Sequence, residues 1–127
     1  MTELLFVYGT LLRRSPHPMA RVLAERAEFV GEGKICGRLY NLGRFPGLVA
    51  GGPGEWVHGD LYDLGDGAAA TLAELDRYEG DESTPDALFC RELADVICGD
   101  EKAAQAWVWW FRGVVKPEQR IASGRYL

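Results

Sequence analysis

Short apolar runs of strand length, cut off by glycine-rich turns, dominate this chain, and only two stretches repeat at helical spacing. Leu4-Leu5-Phe6-Val7-Tyr8 is a continuous apolar run and reads as a buried first strand. Strand-like pieces follow around 34–42, 47–50 and 56–64, with Gly51-Gly52-Pro53-Gly54 as one of the turns between them. Two longer strands close the chain, roughly 88–98 and 104–112, the second built on Ala-Trp-Val-Trp-Trp-Phe. The pattern is α+β, richer in strand than in helix, and 127 residues suit one domain spanning 1–127.

The first helix is expected after Ser15-Pro16-His17-Pro18, with Ser15 as cap, Met19, Val22, Leu23 and Ala27 at helical spacing, and Gly31 as stop. The second runs from about Asp66, a candidate cap, to Tyr78, with Gly80 beyond its end. The polar segment 80–86 reads as a loop. There is no repeat or low-complexity tract.

The charge balance excludes some partners. With 14 Lys and Arg against 19 Asp and Glu, the net charge is −5, and no basic run exceeds Arg13-Arg14. Nucleic acid and anionic membrane are therefore not expected ligands. Tyr8-Gly9-Thr10 interrupts the N-terminal apolar run, so no secretory leader is read there, and no stretch approaches the roughly 20 apolar residues of a membrane helix. Cys36, Cys90 and Cys98 form no C-x-x-C pair and read as buried, reduced thiols of a cytoplasmic protein. His17 and His58 lack a third ligand at metal spacing, so no metal is expected.

Two features carry chemistry. On the second helix, at about 100° per residue, Glu79 falls about 20° from Leu72 and about 40° from Leu75. Ala68, Leu72 and Leu75 mark the core-facing stripe, with Glu74 and Arg77 opposite. A carboxylate on that stripe, at the helix end whose dipole repels anions, has its charged form disfavoured twice. Such a group suits a general base working near neutral pH. The periodicity is equally compatible with a helix that ends before Glu79 and leaves it in water.

The other feature is Phe6-Val7-Tyr8-Gly9-Thr10-Leu11. Successive backbone N–H groups in a glycine turn can form a nest that holds a carboxylate or an oxyanion. Alone, the segment fits an ordinary turn as well as such a nest. Among the other candidates, a Cys–His pair is weaker than structural cysteine, and Arg91 reads first as a structural ion-pair partner. One aromatic of Trp107, Trp109, Trp110 and Phe111 is expected to line a pocket.

Taken together, Phe-Val-Tyr-Gly-Thr-Leu at a strand end and Leu-Asp-Arg-Tyr-Glu-Gly (75–80) at a helix end resemble the gamma-glutamylcyclotransferase-like superfamily, in its small bacterial and gamma-glutamylamine-type members. Gly43-Arg44-Phe45-Pro46-Gly47-Leu48, Val57-His58-Gly59-Asp60-Leu61-Tyr62, the Phe-Cys-Arg and Ala-Trp-Val-Trp-Trp segments and Ser123-Gly124 extend the resemblance over nearly the whole chain. It implies a compact, mixed, barrel-like sheet with two main flanking helices and a cavity at one end. The implied activity is cyclisation of a γ-glutamyl amine or peptide to 5-oxoproline with release of the amine, without metal or cofactor. Glu79 matches the acid/base residue, and Tyr8, Gly9, Thr10 and Leu11 match the substrate-binding loop. Trp109 and Phe89 stand where relatives commonly carry tyrosine, which leaves a second reading open: a module that binds a small amino-acid or γ-glutamyl metabolite without turnover.

Overall fold

The structure, a computed structural model, describes residues 3–43, 46–79 and 89–126, with side chains of the second helix described through Leu75. Its elements are β1 (Leu4–Val7), α1 (Pro18–Arg26), β2 (Glu28–Cys36), β3 (Arg38–Asn41), β4 (Pro46–Val49), β5 (Trp56–Asp63), α2 (Ala68–Glu79), β6 (Phe89–Cys98) and β7 (Ala103–Phe111). Five strands close into a barrel in the order β1-β5-β2-β6-β7, and β3 and β4 form a separate antiparallel pair. All barrel pairings are antiparallel except the closing one, β1 with β7, which is parallel at Leu5 and Trp107. The expected barrel-like α+β sheet with two helices is what the chain adopts.

β1 is apolar throughout because both of its faces are buried. Phe6 and Tyr8 join Ile35, Val57, Leu61, Val96, Ala106 and Val108, so this cluster draws on all five barrel strands and fills the interior. Leu5 and Val7 point the other way and meet Leu23 of α1 and Ala68, Leu72 and Leu75 of α2. The β7 aromatics divide by the same period of two, with Val108 inside and Trp109 under the helices. Close approach inside the barrel demands glycine. Gly33 and Gly59 are register partners, and a Cβ on Gly33 would lie 2.8 Å from Val96 Cγ1.

Several local expectations are corrected. His17, not Ser15, caps α1: its Nδ1 accepts the Met19 N–H at 3.1 Å, while Ser15 Oγ accepts the His17 N–H at 3.2 Å. Pro18 follows at the first helical position, so the extended residue before it is the one placed to cap. Gly31 stops nothing; the helix ends at Arg26, and Gly31 lies within β2 at a bulge, with φ 149°. The expected 34–42 strand is two strands broken at Gly37, where a Cβ would stand 2.9 Å from Val49 O. Asp66 is inside a 3-10 turn, Gly65–Gly67, that runs straight into α2, and Asp63 Oδ1 takes the Gly65 N–H at 3.0 Å. The thiols are unpaired as expected but not buried, since Cys36 is exposed and Cys90 and Cys98 are intermediate. Gly80 and the 80–86 segment lie outside the described residues.

The chain after β7 returns along β5. Gly124 O accepts the His58 N–H at 2.8 Å, Leu39 O accepts the Ile121 N–H at 2.7 Å, and Glu55 binds both Arg38 and Arg120. The Arg38 hydrogen bond and the Gly52 N–H hold the Glu55 carboxylate down at about 2.

Candidate functional site

The loop after β1 is pinned at both ends. Tyr8 donates its hydroxyl to the backbone carbonyl of Trp109 at 2.7 Å, which ties the loop's start to β7. Leu12 N–H closes a turn on Gly9 O at 3.0 Å, and the next amide, Arg13 N–H, donates to Asp60 Oδ2 at 2.8 Å. Glycine is required at position 9 because the Pro46 ring occupies the place of a Cβ, with Pro46 Cδ 2.8 Å from it. Tyr8, Gly9, Thr10 and Leu11, with Pro46 and Trp109, line a narrow cleft of about 20 Å³, about the room one water needs.

Helix α2 reaches the same place from the other side. Leu72 and Leu75 are 5% and 1% exposed and share one cluster with Val7, Leu11 and Trp109. The apolar stripe expected from the sequence is therefore the buried one. Backbone helicity continues through Glu79, one turn beyond Leu75. The Glu79 side chain lies outside the described residues. Glu74, expected on the solvated side, pairs with Arg26 of α1 across the surface.

Of the four β7 aromatics, Trp109, 3% exposed, lines the cleft. Arg91 lays its guanidinium over Trp107, 4.5 Å from the ring centroid. Among the described residues no group of three His, Cys, Asp or Glu side chains could hold a metal ion, and no helix is long and apolar enough to cross a membrane.

Two members of the neighbourhood escaped sequence reasoning. Pro46 and Asp60 figured in the sequence only within the segments 43–48 and 57–62 of the family resemblance, with no role at the site. Asp60 is 7% exposed, between Gly59 and the buried Leu61. A carboxylate directly before the apolar Leu61-Tyr62 pair was the available signal. Its neighbour Tyr62 is 1% exposed, and the buried hydroxyl has no hydrogen-bond partner among the described residues. Burial pushes its pKa up, and the Asp60 charge adds to the effect.

Comparison with known proteins agrees with this architecture. A family model described as gamma-glutamyl cyclotransferase, AIG2-like, matches residues 5–127. A gamma-glutamylcyclotransferase family protein of Citrobacter rodentium is 34% identical over 128 residues, covering 97% of this chain and 94% of its own. Its Escherichia coli K12 counterpart is 33% identical, covering 97% and 95%. In three dimensions, an AIG2-like protein from Mus musculus superposes with a TM-score of 0.74 at 24% identity, over 98% of this chain and 88% of that one. The match runs through the β1 loop, the α2 terminus and the closing strands alike, and the chain belongs to the gamma-glutamyl cyclotransferase, AIG2-like family.

Proposed function

We propose that this protein is a cyclotransferase that converts a γ-glutamyl amine or peptide to 5-oxoproline, with Glu79 as general acid/base and Tyr8, Gly9, Thr10 and Leu11 as the substrate cradle. One observation carries the reading. The buried face of α2, which leads by one helical turn to Glu79, packs on the same Val7, Leu11 and Trp109 cluster that borders the cleft of the 8–11 loop. This packing supports a helix end close to the loop, although the two are about 70 residues apart in sequence.

The reaction suits those parts. The substrate's α-amine nitrogen attacks its own γ-carbonyl carbon, closing a five-membered lactam. An α-ammonium must first lose a proton, and a carboxylate can accept it. Attack leaves the ring nitrogen with a second proton to give up; collapse of the tetrahedral intermediate breaks the bond to the leaving nitrogen, which takes up both protons by way of the carboxylate and departs as an ammonium. Charge and atoms balance without a cofactor. Because attack is intramolecular, the protein's share is to hold the chain folded, and backbone N–H groups of the cradle serve either the α-carboxylate or the developing oxyanion.

The test is incubation with a panel of γ-glutamyl amines and dipeptides, followed by detection of 5-oxoproline. Wild type should form it, and Glu79→Gln should lose about 10²–10⁴ of the rate while still binding substrate. Activity that survives in Glu79→Gln refutes the assigned mechanism. Saturable binding without turnover in the wild type supports a non-catalytic module in its place.

A further inference from the structure

Across the 8–13 loop from the cleft, on the outer wall of β2 and β5, is a second recess of about 60 Å³. Arg13, Arg14, Glu32, His58, Asp60 and Arg125 contribute its polar lining. None of these residues lines the cleft of the candidate site.

Three facts define its chemistry. First, Asp60, a residue 7% exposed, lines it, and the hydrogen bond its carboxylate receives among the described residues, from Arg13 N–H, goes to Oδ2. The Arg13 guanidinium does not pair with it, being stacked over Phe29 with its central carbon 4.0 Å from the ring centroid. Among the described residues, Asp60 has no ion-pair partner. Withdrawing a carboxylate from water without a cation beside it is unfavourable, so this residue favours a positively charged guest. Second, Glu32, the register partner of Asp60 on β2, adds a second carboxylate on the same side. Third, Arg14 and Arg125 are exposed, and each is without an ion pair among the described residues.

Opposite charges thus border one recess without neutralising each other. A bare cation would face the arginines, and a bare anion would face the two carboxylates. A small molecule carrying both charges answers to both sides. We propose that this recess is a second binding site, for the ammonium-carboxylate group of a small zwitterion such as a free α-amino acid, with its ammonium on Asp60 and Glu32 and its carboxylate on Arg14 and Arg125. The site stands independently of the cyclotransferase reading, because its evidence is the charge and burial of residues outside the cleft. The small volume limits the enclosed part to the charged head, and a longer side chain would project outward past His58 into the neighbouring groove of Lys34 and Cys98.

The probe is glycine, compared with acetate and methylammonium as single-charge controls, read by calorimetry and by the backbone amide signals of the intact protein. Glycine should bind saturably and shift the amides of His58, Gly59 and Asp60. Asp60→Asn and Arg125→Met should each weaken it at least about tenfold, the loss expected for one charge-assisted contact. Acetate should bind less tightly and ignore Asp60→Asn; methylammonium should bind less tightly and ignore Arg125→Met. Should Asp60→Asn not fold, Glu32→Gln, on an exposed position, replaces it with the same expectation. The proposal is overturned by no saturable binding at tens of millimolar, by acetate binding as tightly as glycine, or by glycine affinity unchanged in the variants. Glycine shifts confined to the amides of residues 8–11 would overturn it as well, since they would assign the binding to the cleft.

Discussion

Leu75→Ala tests the packing on which the proposed role of Glu79 rests. Leu75 is 1% exposed and shares one buried cluster with Leu5 and Val7 of β1, Leu11 of the loop and Trp109 of β7. Truncation of a buried leucine to alanine costs about 2–5 kcal/mol, the upper half where the surroundings cannot collapse into the space. Here the opposing wall belongs to strands hydrogen-bonded within a closed barrel, which resists collapse, so about 3–4 kcal/mol is expected. In urea, with a slope of about 2 kcal/mol per molar, the unfolding midpoint should fall by about 1.5–2 M with the slope unchanged. Leu93→Ala on β6, at a position 51% exposed, is the control and should stay within about 0.5 kcal/mol. A Leu75→Ala loss below about 1 kcal/mol, or one no larger than the control's, would refute the claim that α2 turns this stripe to the core. The proposed role of Glu79, one turn beyond it, would then lose its structural support.

Two further outcomes are expected. Gly59→Ala should destabilise the protein by about 3 kcal/mol or more, because the added methyl meets the Val7 carbonyl and lies 2.8 Å from Phe6 Cζ; a melting temperature unchanged from wild type would contradict the tight barrel interior. His58 is held below its ordinary pKa of 6.5 by burial first, then by the charges of Arg125 and Lys34. The unfolded chain therefore takes up the proton first on acidification, so this residue's effect is absent above about 6.5 and destabilises the fold as pH drops from there through the lower folded value. Denaturation series from pH 8 to 5 should show His58→Gln losing less stability over that window than wild type, and parallel curves would disprove it.

Much of this molecule is legible as one-dimensional pattern. The run Leu4-Leu5-Phe6-Val7-Tyr8 marks a strand buried on both faces, and the structure buries Leu5 and Val7 under helices and Phe6 inside the barrel. Spacing along α2 selects Ala68, Leu72 and Leu75, and those are the residues that pack. Both readings succeed because burial repeats with the backbone's own period, 2 in strands and 3.6 in helices, so neighbours in sequence carry the information. Helix starts were read less well: His17 rather than Ser15 caps α1, where Pro18 holds the residue before it extended, and α2 continues a 3-10 turn that contains Asp66 instead of beginning at an Asp66 cap.

What no local pattern holds is which strand meets which. β1 closes the barrel on β7 through a parallel contact between Leu5 and Trp107, about 100 residues apart, and Tyr8 bonds to Trp109 only as a result. The same closure sets Pro46 against Gly9 and turns Asp60 toward the Arg13 amide. A register is a property of two segments together, and its energy comes from all the contacts that closure makes at once. The sequence by itself therefore determined the faces of the elements and the residue types at the candidate site. Only tertiary pairing decided that a glycine loop, a proline and a tryptophan border one cleft, that the buried stripe of α2 packs on residues that line it, and that a buried aspartate holds the Arg13 amide.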